Sequence, residues 1–118
     1  MPELPEVETT LRAIKKFQGQ NLINIKVHNR NLRWTVSKDL EKNSKNQKLI
    51  DLHRRAKYII FELENTYLLL HLGMSGSLRI LKNEDNYFPK HDHIEFIFDN
   101  EKIIYNDPRR FGSLHIAK

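Results

Sequence analysis

The sequence predicts an α+β domain: an antiparallel β-sandwich of about eight strands, with an N-terminal helix and one short additional helix. Three observations carry this reading. Apolar residues repeat at three- and four-residue steps only near the start of the chain. Beyond Gly19 they fall into many short β-type runs separated by turn residues, the pattern of an antiparallel sandwich rather than a parallel sheet. The 118 residues suffice for one domain with a real core and not for two, so residues 1–118 are read as a single domain.

Leu4, Val7, Leu11 and Ile14 form the apolar stripe of the helix. Pro5 suits its first turn, Glu6 and Glu8 complement its positive end, and Gly19 is a natural stop. Ile23, Ile25 and Val27 then alternate on one face of a first strand. Ser37 suits the cap of a short helix running through Asn43. Further strands are expected over 49–53, 58–63, 67–72, 77–81, 93–98, 102–105 and 113–116, with hairpin turns at Asn65 and Asp99-Asn100. The polar stretch from Lys82 to Lys90 reads as a long loop, and Trp34 as a core residue or packing anchor.

Composition bounds the partners. Lys and Arg total 20 against 15 Asp and Glu, a net charge of +5, which favours polyanions. There is no cysteine, which excludes disulfides and any thiolate zinc site in this chain. No apolar run has membrane-spanning length, and no basic-then-apolar leader opens the chain. A monomeric cytoplasmic protein without membrane contact is the expectation.

The opening Met1-Pro2-Glu3-Leu4-Pro5-Glu6 carries the most chemistry. Removal of Met1 leaves a secondary amine on Pro2. An α-amino group has a pKa near ~8 against ~10.4 for lysine, so far more of it is free to attack an electrophilic carbon at neutral pH. Proline can form only a cationic iminium with an aldehyde, a strong electron sink. Glu3 and Glu6 stand close enough in sequence to move protons beside it. The bland reading is an unused Met-Pro start whose acids serve the helix dipole.

Three further segments and a histidine pair invite the same double reading. Arg54-Arg55-Ala56-Lys57 precedes an apolar strand and suits phosphates, or is a solvated basic edge. His71-Leu72-Gly73-Met74-Ser75-Gly76-Ser77 brackets a methionine with glycines, a flexible wedge for stacked bases or a plain turn with Met74 in the core. Asp107-Pro108-Arg109-Arg110-Phe111-Gly112 sets two arginines beside an aromatic: a base-edge and wedge loop, or a core Phe111 with arginines paired to Asp107. His91 and His93 fall on one face if extended, but no other histidine has ligand spacing, so phosphate contact outweighs metal binding.

Taken together, PELPEVET, RRAKY (54–58), HLGMSGSLRI (71–80), KHDH (90–93) and DPRRFG (107–112) resemble the N-terminal domain of the bacterial formamidopyrimidine-DNA glycosylase family, in the family's order. Leu4 and RRAKY look like this family rather than its relative endonuclease VIII. The resemblance implies excision of oxidised purines (8-oxoguanine, formamidopyrimidines) from double-stranded DNA, followed by AP-lyase β,δ-elimination at the abasic site. It implies Pro2 as the nucleophile at the sugar C1′, Glu3 as acid/base at the ring oxygen and in the eliminations, and Glu6 as support for the terminus. It implies Lys57 on phosphate and the lesion nucleotide, with His71 and His91 on the DNA backbone. Met74, Arg109 and Phe111 would fill the space of the everted nucleotide, Arg109 facing the orphaned cytosine, with Arg110 beside it on DNA. None of these steps needs a metal or other cofactor in this chain. Family members continue into a helix-two-turns-helix domain and a four-cysteine zinc finger, which are expected to be absent here, so weak excision, or DNA binding without catalysis, is the alternative. A tautomerase using Pro2 as base would place it on a strand, whereas here a helix follows.

Overall fold

The computed structural model describes residues 4–86 and 89–118. Helix α1 spans Leu4–Ile14 and tightens into a 3₁₀ turn over Lys15–Phe17. Val7, Leu11, Ile14 and Phe17 are buried, continuing the predicted stripe by one step. Gly19 has φ +89°, a conformation that suits glycine and ends the helical segment where the sequence predicts.

Nine strands follow: β1 Asn21–Leu22, β2 Asn24–Val27, β3 Gln47–Arg55, β4 Tyr58–Leu63, β5 Tyr67–His71, β6 Ser77–Lys82, β7 Asp92–Ile97, β8 Glu101–Asn106 and β9 Ser113–Ala117. They form two antiparallel sheets, ordered β1-β3-β4-β5-β9 and β2-β7-β8-β6. The ninth strand arises because the first predicted strand is two. The chain crosses between sheets at Ile23, which is 40% exposed, so of the expected Ile23-Ile25-Val27 face only Ile25 and Val27 turn to the core. A corner of this kind reverses the alternation that sequence patterning assumes.

The short helix α2 is Leu40–Ser44, displaced from the predicted span; Asp39 holds the cap position, and the Ser37 hydroxyl accepts only the Asp39 N–H. The hairpin turns fall at Asn65 and at Asp99-Asn100 as predicted, joining β4 to β5 and β7 to β8. Between the sheets, Phe61 stacks on Phe96 at 5.0 Å and Phe17 packs on Phe98 at 4.6 Å. No helix is long and apolar enough to cross a membrane.

Strand register sorts the connections onto two ends. Tyr58 pairs with His71, His71 with Ser113, and Ser77 with Asn106, whose other partner is Asp92. The turn after β3, the loop after β5 and the loop after β8 therefore share one end. The turns at 64–66, 83–85 and 98–100 lie at the other.

Candidate nucleic-acid interface

The shared end is assembled around Asp107, a carboxylate with 0% exposure. Its Oδ1 accepts the Ser75 hydroxyl at 2.6 Å and the Arg110 N–H at 3.0 Å. Its Oδ2 accepts the Tyr105 hydroxyl and the Gly112 N–H, the latter at 2.9 Å. Its carbonyl lies 2.6 Å from His93 Nε2, and its N–H donates to the His91 carbonyl at 3.0 Å. Burial alone would raise the Asp107 pKa, but the donors from Ser75, Tyr105, Gly112 and Arg110 outweigh it and hold the carboxyl below its usual range. Burial and the facing carboxylate push the Tyr105 phenol well up, so it stays protonated and donating.

This hub ties two loops into one surface. Ser75 gives its hydroxyl to Asp107 and accepts the Arg109 N–H at 3.2 Å, so the 73–76 loop rests on the 107–112 loop. The backbones touch: a Cβ at Gly73, which has φ +69°, would lie 2.5 Å from Gly112 N. With that approach closed, the side chains between the glycines point out. Met74 is 51% and Phe111 43% exposed, which decides against a core position for either. The alternative reading, with the arginines paired to Asp107 through their side chains, is not what forms either. Asp107 takes backbone N–H groups instead, leaving Arg109 and Arg110 exposed, with the Arg109 guanidinium 5.5 Å from the Phe111 ring centre.

Lys57 is half-buried in the β3–β4 turn beside Ala56, which has φ +52°. Arg54 and Arg55 end β3, which runs two residues past its expected span and pairs them with Ile59 and Tyr58, and the segment leads straight into the apolar β4 as predicted. Arg54 is engaged by Glu8 of α1 and by the Ala56 carbonyl, which draws the helix start towards the turn and lowers the Glu8 pKa. His71 ends β5 against Tyr58, ring centres 5.0 Å apart. Burial, then Lys57 and Arg33, lower its pKa, so the ring is neutral at pH 7. Its Nδ1 accepts the Gly73 N–H at 3.0 Å, which leaves Nε2 as the protonated nitrogen and a donor.

His91 and His93 do not share an extended face, because β7 begins only at Asp92 and its register shifts between Asp92 and Ile94. His93 is buried on the Asp107 carbonyl, and His91 is half-buried just ahead of the strand. Glu6 is exposed in the first turn of α1. Pro2 and Glu3 lie outside the described residues. Among the described residues, Asp51, His53 and Glu62 bring ligand-type atoms within 4.8 Å of one another on β3 and β4, where His53 already pairs with Asp51 at 3.0 Å.

Sequence reasoning misplaced Trp34. It is 57% exposed rather than core, on a loop held to the 107–112 segment by Arg33 N–H to the Gly112 carbonyl at 3.1 Å. Trp34, Arg33, Tyr58, His71, Met74 and Phe111 line a cavity of about 420 Å³. The adjacent pair Arg33-Trp34, a cation beside an aromatic, was the sequence signal for it.

The family model for the formamidopyrimidine-DNA glycosylase N-terminal domain matches residues 1–114. This chain belongs to that family. It is 50% identical over 115 residues to the formamidopyrimidine-DNA glycosylase of Pasteurella multocida, covering 96% of this chain and 42% of the relative. The Yersinia enterocolitica enzyme is 48% identical over 120 residues, covering 100% and 44%. A crystal structure of the Lactococcus lactis enzyme with Fapy-dG-containing DNA superposes with a TM-score of 0.89 at 33% identity, covering 98% of this chain and 44% of that one. The same enzyme bound to DNA with an AP site also gives 0.89. The chain thus spans less than half the length of the relatives it matches.

Proposed function

We propose that this domain serves DNA base-excision repair as the nucleophile-bearing part of a bifunctional glycosylase and AP lyase acting on oxidised purines. The observation that supports it best is the convergence of Lys57, His71, Met74, Arg109 and Phe111 at one end of the sandwich, on a family scaffold whose relatives are named formamidopyrimidine-DNA glycosylases. Cations and a neutral imidazole donor suit phosphates, while an exposed methionine and phenylalanine suit a gap in a base stack.

In this reading the Pro2 amine attacks the sugar C1′, and the bond to the damaged base breaks as the base leaves with a proton. Glu3 protonates the ring oxygen as the sugar opens to an iminium. The cation acidifies the C2′ proton; its loss breaks the bond to the 3′ phosphate, and a second elimination releases the 5′ phosphate. Lys57 and His71 hold the phosphates through these steps, and Glu6 supports the terminus. The wedge keeps the nucleotide out of the stack, where unstacking otherwise costs a few kcal/mol.

The test is borohydride trapping on duplex DNA carrying 8-oxoguanine or an abasic site, with a full-length family enzyme as control. Protein lacking Met1 should give a covalent adduct, and protein with one residue retained ahead of Pro2 should give none. DNA binding without any adduct from the processed protein would leave only a binding role.

A further inference from the structure

We infer that the cavity between Trp34 and the wedge loops is a stacking site for one unpaired nucleobase, served by Trp34 and Arg33. The inference rests on the nucleic-acid reading above and adds residues and a ligand class that the motifs do not assign. The cavity is the right size for a small flat ligand, at about 420 Å³. Three of the six large apolar side chains exposed among the described residues, Trp34, Met74 and Phe111, line it. A folded domain has no reason to gather exposed rings in one place unless something covers them.

Charge selects the occupant. A second cavity of about 480 Å³ adjoins the first, shares Arg33 and Phe111 with it, and is otherwise lined by Asn31, Leu32, Arg109 and Arg110. Among the described residues no carboxylate lines either one. An aromatic slot next to an arginine trough matches a base with its phosphate, and neither an apolar peptide nor a neutral small molecule uses both halves. Arg33 sits 5.9 Å from the Trp34 ring centre and can hold the indole face-on to a base while reaching the trough.

The platform is also anchored. Arg33 N–H bonds the Gly112 carbonyl, and Arg110 Nη1 reaches the Asn31 carbonyl at 3.4 Å. The Trp34 loop therefore keeps its register with Phe111, and a base unstacked by the wedge meets a preset surface rather than a loose loop.

Trp34 is the only tryptophan, so its fluorescence reports the site directly. An eight-nucleotide oligothymidylate should quench it, and an abasic strand of equal length and charge should quench it far less. By anisotropy of labelled strands, Trp34→Leu should weaken oligothymidylate binding about tenfold, the size of one lost base–aromatic stack. Binding of the abasic strand should change much less, and Trp34→Phe should recover most of the loss. Arg33→Ala should reduce the salt slope for both strands by about one phosphate contact. Equal quenching by both strands, or equal loss on both, overturns the stacking site while trapping on duplex DNA leaves the repair reading intact. No binding of any strand, single or duplex, overturns both.

Discussion

The two ends of the sandwich share the same strands but are closed differently. At one end the turns at 64–66 and 98–100 are short and polar, and with the turn that opens the 83–91 connection they carry Glu64, Glu84, Asp85 and Asp99. At the other, the two-residue β3–β4 turn carries Lys57, and longer loops carry Arg109 and Arg110, three of the four glycines, and the exposed Met74, Phe111 and Trp34. Of the three non-glycine residues with positive φ, Ala56 and Arg110 lie at this second end, while the third, at the other end just before β3, is Asn46, a residue that tolerates the left-handed region. A turn that only reverses the chain needs Asn or Asp and nothing more. A surface that must present rings and cations to a ligand needs a hidden support, and Asp107 supplies it with neutral donors rather than a counter-ion. Elsewhere the second sheet buries Glu95 by pairing it with Lys102 at 2.8 Å and His28 at 2.7 Å, the usual solution for an interior charge. Using backbone N–H groups at Asp107 keeps the Arg109 and Arg110 guanidinium groups off the carboxylate and exposed, Arg110 reaching the Asn31 carbonyl at 3.4 Å.

The contrast breaks most severely at Asp107. Replacing it by Ala leaves the Ser75 and Tyr105 hydroxyls and two backbone N–H groups without their acceptor, and should cost on the order of 3 kcal/mol or more in urea unfolding. Asp107→Asn, which keeps one acceptor oxygen, should cost less. The pH dependence has a definite sign. Asp92, Glu95 and Asp107 all titrate below the ordinary carboxylate range in the folded state, against the pull of burial. Their contribution to stability is complete above the unfolded pKa of ~4 and is lost as pH falls through the lower folded values. Thermal midpoints should hold down to about pH 4.5 and drop below it, and the drop should be shallower in Asp107→Asn.

Phe111→Ala tests the presenting side of the same loop. The ring is exposed, so stability should change by no more than about 0.5 kcal/mol. Binding to duplex DNA with an abasic site should weaken about tenfold, and binding to single strands less, because only a duplex has a stack to hold open. Equal losses on both substrates would reject the wedge. The motif around Phe111 was legible in sequence because a cation-aromatic loop bounded by Pro and Gly leaves few conformations. What was not legible is the direction of a side chain: Phe111 and Trp34 are both apolar, and composition alone puts both in the core. Their exposure depends on the Gly73–Gly112 backbone contact and the Asp107 hub, which join residues more than thirty positions apart. The strand pattern was legible wherever one face stays buried. It failed at Ile23, where the chain changes sheets, and at Asp92–Ile94, where the register shifts.

Ala56→Gly probes the strain at the loop-bearing end. With φ at +52°, Ala56 carries the left-handed penalty of an L-residue, about 1 kcal/mol, partly offset by the greater freedom glycine has when unfolded. The variant should be more stable by about 0.5 kcal/mol in urea unfolding. If the strained turn also positions Lys57, DNA affinity should fall slightly while stability rises; a gain in both would mean that the strain serves no positioning role.

The smallest effect should come from the opposite end. Glu84 and Asp99 are exposed in turns across the sandwich from Lys57 and Arg109. Charges so distant are screened beyond the Debye length of about 8 Å at physiological salt, so they act on encounter rather than on the bound state. The double variant Glu84→Lys, Asp99→Lys should change equilibrium affinity for DNA by no more than about twofold at 150 mM salt. At low salt a larger change should emerge in the association rate, because the present arrangement orients the basic end towards a polyanion. A large loss of affinity at 150 mM salt would mean that the turn end touches DNA itself, and the division of labour between the two ends would be wrong.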